Sequence, residues 1–208
     1  MERGNLRLGC LIMAAGNGRR FGGNKLMEEL GGEPVYQRAF RAVPVSYIYK
    51  VAVVTGYPEV MAAAAEHGFL AVENIQPEKG VSHTIRLGLA ALGDCDGIIF
   101  QVADQPLLQR ETVARLCERF LEAPEHIWAL GHEGTKGNPC IFPGKYREEL
   151  MALEGDRGGS AVIRAHREAL RLMEAPAEEL MDIDTPEALE ALRRELSKKI
   201  CGLHQDFA

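Results

Sequence analysis

The chain of 208 residues is predicted to fold as α/β, as a single three-layer α/β/α domain around a Rossmann-like, mixed but mainly parallel sheet. Short apolar, β-branched segments alternate along the chain with segments of helical spacing. Residues 98–103 are apolar almost throughout, which is typical of a strand covered on both faces. Length and a hydrophobic content of 46% predict one domain, over 1–196, with a C-terminal tail over 197–208.

In the first half, the continuous apolar run 8–13 predicts a strand, and Pro34 stands at the start of a helix over 35–43. The β-branched run 48–55 predicts the next strand. Pro58 opens an alanine-rich helix that Gly68 ends, and a short strand over 69–72 follows. Apolar residues at helical spacing predict a helix over 81–92, before the strand 98–103.

The second half is less regular. A helix over 111–121 and a strand over 127–130 continue the alternation, and residues 139–142 predict a short strand followed by a helix that ends at Leu153. A glycine-rich loop over 154–160 leads into a helix from Ala161. Strands are predicted over 170–173 and 181–183, before Pro186 opens a last helix over 187–196. The tail is weakly patterned and is expected to fray.

Composition excludes several function classes. A formal charge of −6 without an evident basic face argues against nucleic acid as a partner. No apolar run approaches the roughly 18–20 residues that cross a bilayer, so no membrane partner is expected. The polar N-terminus lacks a signal-peptide core, which predicts a cytoplasmic protein. Five cysteines, none in a C-x-x-C pair, argue against a disulfide framework or a zinc site.

The most informative segment is the glycine-rich loop MAAGNGRRFGGNK at 13–25, directly after the first predicted strand. Four glycines within eight residues let the backbone turn sharply and approach a ligand closely. Consecutive backbone N–H groups can then point at one anion, and Arg20 and Lys25 add full charges there. The loop therefore predicts a polyphosphate cradle and a nucleotide-using enzyme.

Two common phosphate loops do not match this segment. The dinucleotide fingerprint requires glycine where the chain has Phe21, and the second predicted strand ends without an acidic residue. The P-loop requires Gly-Lys followed by Ser or Thr, whereas Lys25 follows Asn24 and precedes Leu26. The loop is therefore of a third, longer and more basic type.

Two aspartates are the candidate metal ligands. Asp104 follows an apolar strand directly, and ligands of open α/β sheets bind at the carboxyl ends of strands. Asp184 lies in the later segment DIDTP, where alternation places it on the same face as Asp182. A nucleotide requires Mg²⁺, which prefers oxygen ligands, so Asp104 with Asp184 is the predicted Mg²⁺ site. The alternatives are an acid in a turn for Asp104 and a helix cap for Asp184.

These segments together resemble a known family. The loop at 13–25 with VADQP at 102–106 and DIDTP at 182–186 is similar to the molybdenum cofactor (molybdopterin) cytidylyl- and guanylyltransferases, within the MobA-like NTP transferases of glycosyltransferase-A-like fold. The likeness continues in KGVS at 79–82, KGNP at 136–139 and EGDRG at 154–158. It covers the chain to about residue 190, and the ordered set is far more specific than the loop alone.

The resemblance implies a role for each matching residue. Ala14 to Gly16 would hold the base and ribose, and Arg20 and Lys25 would bind the triphosphate and stabilise the leaving pyrophosphate. The nucleotide site would comprise Ala14, Ala15, Gly16, Gly18, Arg20, Lys25, Gly80 and Ser82, of which Gly80 and Ser82 act through backbone amides at a helix N-terminus. The catalytic residues would be Arg20, Lys25 and Asp104; the acceptor side, Gly137, Asn138 and Pro139; and the Mg²⁺ ligands, Asp104 and Asp184.

The reaction implied is attack of an acceptor phosphate on the α-phosphorus of CTP or GTP, with release of pyrophosphate. Within the resembling family, Ala-Ala-Gly followed by a non-glycine, as in Ala14 to Asn17, is typical of CTP use. The acceptor would be a phosphorylated pterin, and the product would pass to a molybdoenzyme.

Two departures from the family pattern concern the acceptor. His83 interrupts Ser82 and Thr84, and Gly159-Ser160 follows EGDRG where relatives often have Ala-Arg. Two alternatives therefore stay open: the same chemistry on a sugar phosphate or polyol phosphate, and a non-catalytic binding or maturation factor for the molybdenum cofactor.

Overall fold

The computed structural model describes residues 6–16 and 21–203, with backbone alone from 198 to 203. Its nine strands in this part of the chain are β1 Leu8–Ala14, β2 Glu29–Leu30, β3 Glu33–Pro34, β4 Ile48–Thr55, β5 Leu70–Glu73, β6 Gly97–Val102, β7 Ile127–His132, β8 Thr135–Pro143 and β9 Leu170–Glu174. Its α-helices there are α1 Val35–Arg41, α2 Pro58–Glu66, α3 Val81–Leu92, α4 Arg110–Glu122, α5 Arg147–Met151, α6 Ser160–Ala165 and α7 Pro186–Leu203.

A seven-stranded sheet in the order β5-β4-β1-β6-β8-β7-β9 forms the middle layer. Parallel ladders join β5, β4, β1 and β6, and a second parallel ladder joins β7 to β9. Strand β8 runs antiparallel to both β6 and β7. The sheet is therefore mixed and mainly parallel, as predicted from the alternation of elements.

Two hydrophobic cores cover the two faces of the sheet. One core joins α1, α2, α4 and α7 to the sheet through residues such as Phe40, Val60 and Phe120. The other joins α3, α5 and α6 to the opposite face. Helix α3 lies so close to β1 that a Cβ on Gly88 would be 2.2 Å from Leu11 Cδ1. The three-layer α/β/α prediction is confirmed.

Several predicted elements differ in extent. Strand β8 begins at Thr135, before the predicted start at 139, because β7 and β8 form a hairpin through Glu133 and Gly134, which both have positive φ. Helix α7 runs to Leu203, past the predicted end at 196 and across the proposed boundary with the tail. The hairpin of β2 and β3 was not predicted, since each strand is only two residues long.

The predicted strand over 181–183 is wrong. Residues 181–184 form no ladder, and Ile183 N donates one hydrogen bond, of 2.9 Å, to the carbonyl of Asp104. The alternating pattern could not show that a single backbone contact takes the place of a paired strand. This contact brings the DIDTP segment to the end of β6.

Candidate active site

A cavity of about 540 Å³ opens where the parallel strands β1 and β6 end side by side. Its lining combines the glycine-rich loop, the start of α3 and acidic residues from three later segments. The lining residues are Met13, Ala14, Ala15, Gly16, Phe21, Lys25, Leu26, Pro77, Glu78, Gly80, Val81, Thr84, Val102, Ala103, Asp104, Asp156 and Asp184. This position at the carboxyl edge of the sheet is the one predicted for Asp104.

The glycine-rich loop supplies one wall. Ala14 ends β1, and the carbonyl of Gly16 accepts a hydrogen bond of 2.9 Å from the hydroxyl of Tyr57, which follows β4. Gly18 and Arg20 lie outside the described residues, so their predicted roles stay predictions. The loop ends in a short turn at Lys25–Met27, where Asn24 Oδ1 accepts a hydrogen bond from Leu26 N.

Lys25 joins the two predicted metal ligands. Its Nζ lies 2.6 Å from Asp104 Oδ2 and 3.3 Å from Asp184 Oδ1. The Lys25 and Asp104 side chains are 14% and 21% exposed, whereas Asp184 is half exposed. Burial lowers the pKa of Lys25, but the charges and hydrogen bonds of Asp104 and Asp184 outweigh it and raise the pKa. Lys25 is therefore held as a cation between two carboxylates.

Asp182 adds a third carboxyl group beside this pair. It lies at the surface, but the atoms packed around its carboxyl, and after them the charge of Asp104, raise the pKa of Asp182 to about 6. The Gln105 side chain acts in the opposite direction by hydrogen bonding to the carboxylate. The charge of Asp184 also raises the pKa of Asp182, so three carboxyl groups influence one another here. The position of Asp182 and Asp184 on a shared face of an extended segment stays a prediction.

The start of α3 forms the opposite wall. Gly80 has a φ of 82°, and a Cβ on it would lie 2.5 Å from the carbonyl of Gly155. Ser82 N donates to that same carbonyl, at 3.0 Å. The Ser82 side chain is fully buried, and its hydroxyl has no hydrogen-bond partner among the described residues. Gly80 therefore lines the cavity, whereas Ser82 lies behind the lining.

Three polar lining residues, Asp156, Thr84 and Glu78, were not assigned to the nucleotide site from the sequence. Asp156 belongs to the EGDRG motif, and its place in that motif was the signal that could have identified it. Thr84 accepts a hydrogen bond of 3.1 Å from Asn74 Nδ2, which leaves the hydroxyl proton of Thr84 able to point into the cavity. Glu78 carries no sequence signal, because its position depends on a short turn at Pro77–Lys79.

The predicted acceptor residues Gly137, Asn138 and Pro139 lie in β8. The antiparallel pair Phe100 with Cys140 places them level with the end of β6, at the edge that carries Asp104. They are not among the residues that line the cavity. The peptide bond between Asn138 and Pro139 is cis, and Gly137 faces Leu180.

The donor set fits a divalent cation. Carboxylate oxygens of Asp104 and Asp184 already converge on one ammonium group, and Mg²⁺ is usually held by one or two carboxylates together with substrate phosphates. Within residues 6–16 and 21–203 no group of three or more His, Cys, Asp or Glu side chains has the arrangement of a metal site. The site would thus be completed by oxygens of the substrate.

The cysteines that the structure describes lie in the protein interior. Cys10, Cys95, Cys117 and Cys140 are free and buried. Burial raises the pKa of Cys117 to about 12, with a smaller contribution from the charge of Glu118. No helix in the described ranges has the length and apolar character needed to span a bilayer.

Comparison with known proteins supports the same interpretation. The purine catabolism protein PucB of Bacillus subtilis (strain 168) is 30% identical over 201 residues, which are 90% of this chain and 96% of the relative. A nucleotidyl transferase structure from Methanothermobacter thermautotroptrophicus has a TM-score of 0.77 at 22% identity, over 94% of this chain and all of the other. A CMP:2-keto-3-deoxy-manno-octonic acid synthetase in complex with CTP has a TM-score of 0.72 at 15% identity, over 93% and 99% of the two chains.

The two structural likenesses establish the fold, and the family follows from the sequence. Residues 10–170 match the profile of the MobA-like NTP transferase domain, and this range includes the glycine-rich loop, Lys25 and Asp104. The chain therefore belongs to the MobA-like NTP transferase family and is a nucleotidyltransferase.

Proposed function

We propose that the protein transfers CMP from CTP to the terminal phosphate of molybdopterin, with Mg²⁺ and with release of pyrophosphate. The observation that carries the proposal is the contact of Lys25 with both Asp104 and Asp184 beside the glycine-rich loop. A phosphate-binding cation and two candidate metal ligands thus occupy one end of a cavity large enough for a nucleotide. The product would then pass to a molybdoenzyme.

The charge balance of the cavity supports a requirement for a metal ion. Its described lining contains four carboxylates, Glu78, Asp104, Asp156 and Asp184, against one cation, Lys25. A triphosphate would be repelled by this excess of negative charge unless further cations entered with it. Mg²⁺ held by Asp104 and Asp184 would neutralise phosphate oxygens in the transition state. Arg20 would add a second protein cation.

The chain's own residues would act by position and charge. Ala14 to Gly16 would seat the base and ribose, and Gly80 would shape the cavity wall at the start of α3. The backbone N–H groups of Gly80 and Ser82 already donate to the carbonyls of Pro77 and Gly155, so the role expected for them from the sequence does not fit this structure. Lys25 and Arg20 would stabilise the charge that develops on the departing pyrophosphate. An acceptor phosphate is already anionic, so the reaction needs no general base, and positioning supplies much of the rate.

The acceptor is assigned from the resemblance and from position. Gly137, Asn138 and Pro139 lie at the sheet edge that carries Asp104, on the β8 side. A pterin bound there would approach the nucleotide from the side of Asp104 and Asp182. Thr84 lines the proposed nucleotide cavity, so the departure from the family pattern at Ser82, His83 and Thr84 bears less on the acceptor than its place in the sequence implies.

The test combines each of four nucleoside triphosphates with each of three acceptors. Purified protein with Mg²⁺ is incubated with CTP, GTP, ATP or UTP and with molybdopterin, a sugar phosphate or a polyol phosphate. Pyrophosphate and the nucleotidylated product are both measured. Cytidylylated pterin as the main product supports the proposal. Transfer to a sugar or polyol phosphate alone would replace the acceptor, and tight cofactor binding without pyrophosphate would indicate a non-catalytic maturation factor.

A further inference from the structure

A buried carboxylate outside the cavity holds the segment that carries Asp184. Glu179 is 7% exposed and lies in the short turn at Ala177–Leu180. Its Oε2 accepts a hydrogen bond of 3.0 Å from the backbone N of Gln109, and its Oε1 accepts one of 3.0 Å from the Thr112 hydroxyl. Glu179 therefore binds the first turn of α4 from a part of the chain that is remote in sequence.

The start of α4 favours this contact electrostatically. Gln109 is the N-cap residue of the helix, and its own side chain makes no capping hydrogen bond. Unpaired N–H groups and the positive end of the helix dipole stabilise an anion at this point. Glu179 thus acts as the glutamate of a capping box does, but from a different segment.

Two more contacts tie the same segment to the end of β6. Gln105 Nε2 donates to the carbonyl of Leu180 at 3.0 Å, and Ile183 N donates to the carbonyl of Asp104 at 2.9 Å. Gln105 and Ile183 are each 2% exposed, so one partner of each contact lies in the protein interior. Asp184 follows Ile183 directly and lies opposite Asp104 across Lys25.

We propose that Glu179 is a positioning residue for the metal site: by holding the 177–183 segment on α4, it fixes Asp184 at the distance from Asp104 that a shared cation requires. This inference rests on the proposed function of Asp104 and Asp184 as metal ligands. Glu179 is not among the residues that line the cavity, and its two hydrogen bonds go to α4, so it acts through the backbone of its segment.

A carboxylate suits position 179 because both of its hydrogen-bond partners are donors. Both oxygens of Glu179 accept hydrogen bonds, one from an N–H and one from an O–H. In Glu179→Gln the amide oxygen can still accept from Gln109 N, but the NH₂ group then faces the Thr112 hydroxyl, which must accept instead of donate. The variant keeps the size of the side chain, loses the charge at the helix terminus, and replaces two charge-assisted hydrogen bonds by neutral ones.

The experiment compares Glu179→Gln with Glu178→Gln, a matched change at the exposed neighbouring residue. Binding of Mn²⁺ alone to the nucleotide-free protein is measured from the free-Mn²⁺ electron paramagnetic resonance signal. The Mg²⁺ concentration for half-maximal transfer and the thermal midpoint are measured beside it. We expect Glu179→Gln to weaken both metal constants by about tenfold, the lower end of the range for groups that support metal ligands. Glu178→Gln should match the wild type.

A merely structural role would lower the thermal midpoint without moving the metal constants. Thr112→Val provides a second, milder variant if Glu179→Gln does not fold, because it removes one donor and keeps the side-chain shape. It should weaken Mn²⁺ binding by about threefold to fivefold, in line with one net hydrogen bond. Wild-type metal constants in a folded Glu179→Gln or Thr112→Val protein would overturn the positioning role.

Failure of this inference is distinguishable from failure of the proposed function. If the wild-type protein neither binds Mn²⁺ nor transfers a nucleotide, the proposed metal site itself is wrong. If the wild type does both and Glu179→Gln is indistinguishable from it, only the role of Glu179 is wrong.

Discussion

Lys25 Nζ lies 2.6 Å from Asp104 Oδ2, so the glycine-rich loop after β1 and the end of β6 are joined by an ion pair at the floor of the cavity. The pair spans two strands that are neighbours in the sheet and far apart in sequence. Since Asp184 contacts the same ammonium, any cation that binds both carboxylates must compete with Lys25 or displace it. The first predictions follow from this relationship.

Asp104→Asn keeps the shape of the side chain and removes the charge proposed to hold Mg²⁺. We expect nucleotidyl transfer to fall by about 100-fold or more, because this chemistry depends on electrostatic stabilisation. The thermal midpoint should change little, since Lys25 keeps Asp184 as a partner. The control is Asp94→Asn, an exposed aspartate between α3 and β6. Turnover near that of the wild type in Asp104→Asn would contradict the metal assignment.

Lys25→Ala should weaken the binding of CTP more than that of CMP. The proposed partners of Lys25 are the outer phosphates, which CMP lacks. Calorimetric titration with both nucleotides in the presence of Mg²⁺ measures the difference, and Lys50→Ala, an exposed lysine on β4, serves as the control. Equal losses for the two nucleotides would mean that Lys25 supports the loop and does not bind the outer phosphates.

The same Lys25→Ala variant should bind Mn²⁺ more tightly than the wild type when no nucleotide is present. A unit charge about 4 Å away is worth about 4 kcal/mol at an effective dielectric constant near 20, so removal of the ammonium should raise the affinity for a cation at Asp104 and Asp184 by at least about tenfold. Mn²⁺ titration of the nucleotide-free protein measures it. Weaker Mn²⁺ binding would show that Lys25 organises the carboxylates and does not compete for them.

The site residues that directly follow a strand were predictable from the sequence. The contacts between segments that are remote in sequence were not. The glycine-rich loop and Asp104 each follow an apolar strand directly, so the edge of the sheet where they lie could be deduced from the strand alone. The proximity of Asp184 to Asp104 was expected from the need for two carboxylates. The hydrogen bond from Ile183 N to the carbonyl of Asp104 produces this proximity, whereas the alternating pattern at 181–183 predicts a strand.

Glu179 shows the limit of local patterns. In the sequence it is one of two adjacent glutamates, and nothing distinguishes it from Glu178. Only the packing of its segment against α4 buries one of them and exposes the other. Asp156 reaches the cavity in the same way, because the turn at Gly155 and Asp156 packs against Gly80, which is remote in sequence. Non-local contacts of this kind leave no periodic signal in the sequence.

We expect the protein to prefer CTP to GTP by about tenfold or more in kcat/KM, since a difference in size alone gives roughly 10- to 200-fold discrimination. Ala15 and Gly16 line the cavity, and Asn17 lies outside the described residues. The methyl group of Ala15 should favour the smaller pyrimidine, so Ala15→Gly should narrow the preference by admitting GTP. Competition between equal CTP and GTP, with the products counted, is the measurement. A guanylylated majority with the wild-type protein would refute the preference.

Gly80→Ala should lower both stability and nucleotide affinity, and Gly93→Ala separates the two effects. Both glycines flank α3 at positive φ, 82° and 66°, so alanine at either position costs about 1–3 kcal/mol of backbone strain, at roughly 2–4 °C of Tm per kcal/mol. A Cβ on Gly93 meets nothing within 4 Å, whereas one on Gly80 lies 2.5 Å from the Gly155 carbonyl.

Gly80→Ala must therefore also displace the Gly155–Asp156 turn, which lines the cavity. We expect it to lose about tenfold or more in CTP affinity, since small displacements of binding groups are costly, while Gly93→Ala keeps the wild-type affinity. Equal CTP affinities in the two variants would show that the turn at Asp156 has no part in holding the nucleotide.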